Sequence, residues 1–183
     1  QSFYLNRSKE RSLYDEIDVS QTLKLIKKVR WDDNFKFLGL NSKLIPAGHI
    51  LGASSLVMEA EKKVVFSGDL GRRDDFLLSA VAPCPSCDVI IMESTYGGRI
   101  RSGDARQDMM KFIRNIKSQN RVGIIASFAL ARGQTLITLI SEIFRNHPEL
   151  KVPLYFDSPM MKEVNSIYKK HKQLTTQPAE MSD

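Results

Sequence analysis

Three side chains able to hold a metal or move a proton stand at the ends of apolar runs. They are His49 in Ala47-Gly48-His49-Ile50-Leu51-Gly52, Asp69 in Phe66-Ser67-Gly68-Asp69-Leu70-Gly71-Arg72, and Glu93 in Ile91-Met92-Glu93-Ser94-Thr95-Tyr96-Gly97. Imidazole and carboxylate are ligands suited to Zn²⁺, Mn²⁺ or Fe²⁺. An aspartate can bridge two metals through its two oxygens, and a pair of metals can activate a water and clamp a transferring phosphoryl group. A nearby glutamate that is not a ligand can orient a histidine or handle a proton. By residue type alone the signal is weak, because one histidine and one aspartate at turns arise often by chance.

Delivering such groups is the task of strand tips: strands supply rigidity and glycines allow the sharp turns. The run to Pro46 reads as a strand entered through a turn at Asn41–Leu44. Ala53–Ala60 and Val64–Phe66 read as a hairpin turning at Glu61–Lys63, so His49 precedes the hairpin and Asp69 follows it. Val89–Met92 is a continuous apolar run, the pattern of a strand buried on both faces, and Glu93 ends it. Upstream, Phe35–Leu40 reads as a strand and Val19–Val29 as a short helix capped by Ser20, with Leu23, Ile26 and Val29 on one face. Downstream the period changes. Helices are expected from Asp104 to Ser118, Arg132 to Arg145 and Met160 to His171, separated by buried strands at Val122–Phe128 and Val152–Phe156. Strand alternating with helix predicts a parallel pair of strands.

The 183 residues allow one sizeable domain or two small ones, and no apolar run approaches the roughly 20 residues that span a bilayer. No signal peptide is visible, so the expected location is the cytoplasm, or the nucleus in a eukaryote, with no membrane partner. Residues 51–100 are net acidic, which suits a cation, and residues 101–150 are net basic, which suits a polyanion. The basic run Arg99–Arg121, which begins just ahead of that block, reads as a phosphate-tracking surface or, equally for its helical part, as the solvated face of a helix. Cys84 and Cys87 form one CxxC; a zinc ribbon needs two such pairs, and the motif reads as a loop entering the next strand. Residues 121–170 lack a GxGxxG or Walker pattern, which weakens a nucleotide-binding reading.

Taken together, AGHILGASSLVME, VVFSGDLGR and DVIIMESTYGGR resemble consecutive motifs of the metallo-β-lactamase superfamily, and their spacing is similar to its β-CASP branch of RNA-processing nucleases. VGIIASFALARGQTLITLI and VPLYFDSPMMKEV resemble the start of the β-CASP insert, so the resemblance covers roughly residues 17–170. It implies an α/β fold: a partial metallo-β-lactamase αββα sandwich over residues 1–98, then the start of a Rossmann-like β-CASP domain over 99–183. It implies His49 as a zinc ligand, Asp69 as the aspartate bridging two zinc ions, and Glu93 as an acid paired with a histidine. It also implies Arg132 and Gln134 near the nucleic-acid path and Ser158 at a turn facing the cleft.

The departures matter as much. The superfamily's His-x-His-x-Asp-His signature is missing, and the other histidines, His147 and His171, read as surface residues at helix ends. Where the family often has Asp-Arg-x-His after its Tyr-Gly, this chain has Gly98-Arg99-Ile100-Arg101, which adds Arg99 and Arg101 to the candidate phosphate contacts. The expectation is a piece of a metal-dependent ribonuclease, or a truncated product, inactive by itself. The alternative is a non-catalytic RNA-binding or scaffold subunit of a processing complex. RNA is the expected partner, with DNA open because relatives act on DNA ends, and a homodimer or processing-complex subunits are the implied protein partners.

Overall fold

The computed structural model describes residues 13–99 and 103–176. By its contacts the chain divides into two units, residues 1–30 and 31–183. In the first unit, α1 (Glu16–Leu25) begins at a capping box: Asp15 accepts from the Ile17 and Asp18 amides, and Asp18 accepts in return from the Asp15 amide. Ser20 therefore lies inside the helix and does not cap it. None of the residues of α1 is buried, so the expected inward face of Leu23, Ile26 and Val29 is exposed within this unit.

The second unit is built on a five-stranded sheet in sequential order: β1 (Asn34–Phe37), β2 (Leu40–Pro46), β3 (Ser54–Glu59), β4 (Lys63–Phe66) and β5 (Val89–Ile91). β1 to β4 form an antiparallel meander, and β5 joins β4 in parallel. The β1–β2 connection is a two-residue turn, Leu38-Gly39, with both φ angles positive (51° and 81°), the twist that favours tight hairpins. The turn thus falls ahead of the expected Asn41–Leu44. An ion pair, Lys63 Nζ to Glu59 at 3.2 Å, closes the β3–β4 hairpin at the register pair Glu59↔Lys63.

Three amphipathic helices follow: α2 (Ala105–Ser118), α3 (Arg132–Asn146) and α4 (Pro159–Lys170). Asp104 and Ser158 cap α2 and α4 through their side chains. Ile113, Leu139, Ile143 and Leu150 form one buried cluster, with Phe76 packed against it. Leu77, Leu78, Ile137, Met161 and Tyr168 form a second. The short piece Phe76–Leu78 therefore feeds both, and it is tied to the segment after α4 by a bridge from Leu78 to Thr175 and a 2.8 Å bond from the Thr176 amide to Leu77 O.

Three strand expectations are corrected. Val122–Phe128 and Val152–Phe156 join no ladder among the described residues, and Val122, Ile124 and Tyr155 are 89%, 88% and 87% exposed. Their apolar content is that of a buried strand, but a strand exists only where a neighbour takes up its backbone groups. β5 is the sheet edge, which leaves Val89, Ile90 and Ile91 partly open to solvent and not buried on both faces. The parallel pair is β4 with β5, upstream of the helices.

Candidate active site

Because β2 and β4 each run antiparallel to β3, and β5 runs parallel to β4, the C-terminal ends of β2, β4 and β5 share one end of the sheet. The registers Pro46↔Ser54, Leu56↔Phe66 and Phe66↔Ile91 bring the three following loops side by side. These carry His49, Asp69 and Glu93, and all three line one cleft of about 750 Å³.

The loops are bound to one another by their backbones. The Gly71 amide donates to Ala47 O at 2.8 Å, and a Cβ at Gly71 would lie 1.8 Å from Gly48 O, so this close approach of the Asp69 and His49 loops requires glycine. The Ser67 amide donates to Ile91 O at 2.9 Å, Ser55 Oγ donates to Ser67 O at 2.7 Å, and the Glu93 amide donates to Ser67 Oγ at 3.0 Å. Glu93 then reaches back: Oε1 accepts from the Leu70 amide at 2.6 Å and Oε2 from the Thr95 amide at 3.3 Å. Thr95's side chain, the Leu70 amide and, more weakly, the charge of His49 hold its carboxyl below the ordinary glutamate range. Glu93 is thus an ionised acceptor whose oxygens fix the turn next to Asp69. His49 and Asp69 themselves are exposed to the cleft.

The rest of the cleft wall is charged in both senses. Arg72, Asp74, Asp75, Arg99 and Arg132 line it. Arg72 is spent on a two-pronged pair with Asp74, at 3.1 and 3.0 Å, which raises the guanidinium pKa and lowers that of the carboxyl. Asp75 accepts from the Leu77 and Leu78 amides and so starts the core-forming piece. Arg99 lies over the Tyr96 ring, 5.9 Å from its centroid. Arg132 follows Ala131, whose φ of 64° and ψ of −56° form a γ-turn closed by the Arg132 amide on Leu130 O at 2.8 Å. That conformation is strained for a residue with a Cβ.

As a metal site the donor set is partial. Among the described residues, no group of three or more His, Cys, Asp and Glu side chains is gathered as a metal would need. His49 and Asp69 fit as two donors facing one space, while Glu93 is committed to backbone amides. Catalytic zinc sites take three protein ligands.

A model of the Beta-Casp domain matches residues 133–182. Over 168 residues the chain is 31% identical to cleavage and polyadenylation specificity factor 73 of Drosophila melanogaster, covering 89% of this chain and 25% of that protein. It is 31% identical to subunit 3-I of the same factor in Arabidopsis thaliana (88% of this chain, 24% of that one). To endoribonuclease ysh-1 of Neurospora crassa it is 32% identical (85% and 19%). The chain belongs to the β-CASP branch of the metallo-β-lactamase superfamily. It spans about a quarter or less of the length of these relatives.

In this β-CASP chain the matched segment is α3 and α4, and two of its expected contacts lie away from the cleft. Gln134 is fully buried; its amide nitrogen donates to Ala129 O at 2.9 Å and to Asn165 Oδ1 at 2.8 Å, so it joins α3 to α4. Ser158 accepts from the Met161 amide at 3.2 Å as the α4 cap, and neither residue lines the cleft. Arg101 lies outside the described residues. His147 and His171 directly follow α3 and α4, and neither lines the cleft. Arg72, Asp74, Asp75 and Tyr96 are cleft residues that the sequence reading passed over, although Arg72 and Tyr96 stand within the very motifs that carry the family likeness.

Proposed function

We propose that this chain forms part of the active site of a metal-dependent ribonuclease that hydrolyses RNA phosphodiester bonds. The observation that carries the reading is the convergence of His49, Asp69 and Glu93, from three strand tips, on a cleft that also holds Arg99 and Arg132. His49 and Asp69, which face one cleft, would be this chain's contribution to the ligands of a zinc centre. When bound, the metals supply a hydroxide-like water and charge neutralisation at the phosphate. Glu93 holds the Leu70 amide, and with it the direction of Asp69, and Arg99 and Arg132 engage the phosphates flanking the scissile bond. The relatives' names tie them to cleavage and polyadenylation, which favours RNA over DNA, a multi-subunit partner set and a nuclear site of action.

Two donors are fewer than catalytic zinc requires, and this supports inactivity of the chain by itself; it also favours, as a second reading, an RNA-binding role without turnover. The test is metal analysis of the purified 183-residue chain beside an assay on labelled RNA. We expect less than one tightly held zinc per chain, no hydrolysis, and RNA binding that weakens with salt. Two retained zinc ions with turnover would overturn the part-site reading, and no RNA binding at low salt would overturn the RNA reading.

A further inference from the structure

The CxxC motif has no part in the cleft. Its loop is clamped at both ends: the Ala82 amide donates to Pro46 O at 3.0 Å, the Asp88 amide donates to Lys63 O at 2.9 Å, and Asp88 Oδ2 accepts from the Lys63 amide at 2.7 Å. Between these anchors Pro83-Cys84-Pro85-Ser86-Cys87 has little conformational freedom, since three of the intervening positions are restricted by two prolines. Both cysteines are free, Cys84 exposed and Cys87 half-buried. Cys84 Sγ donates to Pro85 O, at 3.4 Å, within its own loop. The two thiols are separated by two residues of this clamped loop; burial first, then the charge and hydrogen bond of Cys84, pushes the Cys87 thiol up. Asp88 follows Cys87, yet among the described residues no group of three or more His, Cys, Asp and Glu side chains is gathered as a metal would need, and two sulfurs fall short of a tetrahedral zinc site.

We propose that Cys84 and Cys87 are a reversible dithiol–disulfide couple, with Cys84 as the attacking thiol and Cys87 as the resolving one, and a small disulfide such as oxidised glutathione as the oxidant. In the first step Cys84, as its thiolate, attacks one glutathione sulfur, and the departing glutathione thiolate takes up a proton. A mixed disulfide on Cys84 results. Cys87, having lost its proton, then attacks Cys84 Sγ and expels the second glutathione thiolate, which is protonated in turn. Two protein thiols are oxidised to one disulfide, and one glutathione disulfide is reduced to two thiols. Capping Cys84 also removes its charge and hydrogen bond from Cys87, which eases the second step. The clamped loop keeps the ring small and the closing entropy low.

The test uses the whole chain, whose two cysteines make the readout unambiguous. The protein is equilibrated in glutathione buffers of graded ratio, quenched with an alkylating reagent and mapped by mass spectrometry. We expect loss of two hydrogens, a Cys84–Cys87 linkage in a monomer, and full reversal by dithiothreitol. Cys87→Ser should stop at a lasting glutathione adduct on Cys84, and Cys84→Ser should slow adduct formation roughly tenfold. Both thiols still alkylated at the most oxidising ratio would overturn the proposal. So would disulfide-linked dimers as the sole product, or a tightly held metal that blocks both thiols.

Discussion

At the residue scale, the arrangement turns on Glu93, whose carboxylate holds the amide beside Asp69. Its folded-state pKa is depressed, so its contribution is fully present above the ordinary glutamate value and is lost as pH falls through the lower, folded one. The protection factor of the Leu70 amide, its exchange rate measured against the intrinsic rate at each pH, should therefore fall only on the acid side of the normal glutamate range. Glu93→Gln, which keeps the shape and removes the charge, should erase that transition; an unchanged pH profile in the variant would show that Glu93 is not the group responsible. Gly71 makes a second residue-level case. Its missing Cβ is what lets the Asp69 and His49 loops meet, and Gly71→Ala would press a methyl into Gly48 O. We expect the variant to lose about 3 kcal/mol in urea unfolding, the upper end of overpacking costs. A loss below about 0.5 kcal/mol, typical of a neutral surface change, would mean that the loops separate freely. The sequence motif marks both residues but is silent on why they are needed: the glycine answers the Gly48 backbone, 23 positions before it, and the glutamate answers the Leu70 amide, also 23 positions before it.

At the element scale, the basic helix α2 proves to be divided in its duties. Arg106 pairs with Glu142 of α3 at 2.8 Å and lies over Phe76, and Lys117 Nζ donates to Glu149 O and Lys151 O. Two of the four basic residues of α2 are thus occupied in holding it to its neighbours, whereas Arg99 and Arg132 face the cleft. Arg99→Ala and Arg132→Ala should each lower the slope of log affinity against log salt for RNA by about 1. Arg106→Ala should leave the slope alone and cost at most about 1 kcal/mol of stability, as a partly exposed ion pair does. A fall in slope for Arg106→Ala equal to that for Arg99→Ala would reverse this division. Helices were legible because their signal is local: Leu139 and Ile143 repeat at helical spacing within α3, and Asp104 stands where the α2 pattern begins, whereas the capping role of Ser158 was not read from the sequence. Pairing was not, because whether Val89–Ile91 lies inside a sheet or on its edge depends on neighbours that its own residues do not encode.

At the scale of the whole molecule, the same limitation has a physical consequence. Val122–Phe128 and Val152–Phe156 keep strand composition, and of their apolar side chains Val122, Ile124, Phe128 and Tyr155 stand largely in water while Val152 packs against the Ile113 cluster; β5 offers an open edge. Unpaired backbone next to exposed Val, Ile, Phe and Tyr is the surface on which extended segments add to one another. The purified chain should therefore self-associate with rising concentration in sedimentation velocity. Each apolar side chain withdrawn from such a contact forfeits about 1.5 to 3 kcal/mol, so the double change Ile124→Lys and Tyr155→Lys should weaken association by at least about tenfold. Leu38→Lys, at an equally exposed hairpin turn, should leave it unchanged. If the double variant associates like the parent, the contact lies elsewhere, with the bare α1 helix, in which none of the residues is buried, the next surface to alter. If the parent stays monomeric at high concentration, the exposed segments are solvated singly, and the apolar pattern of residues 122–128 reflects only the strand that this sequence is written to form.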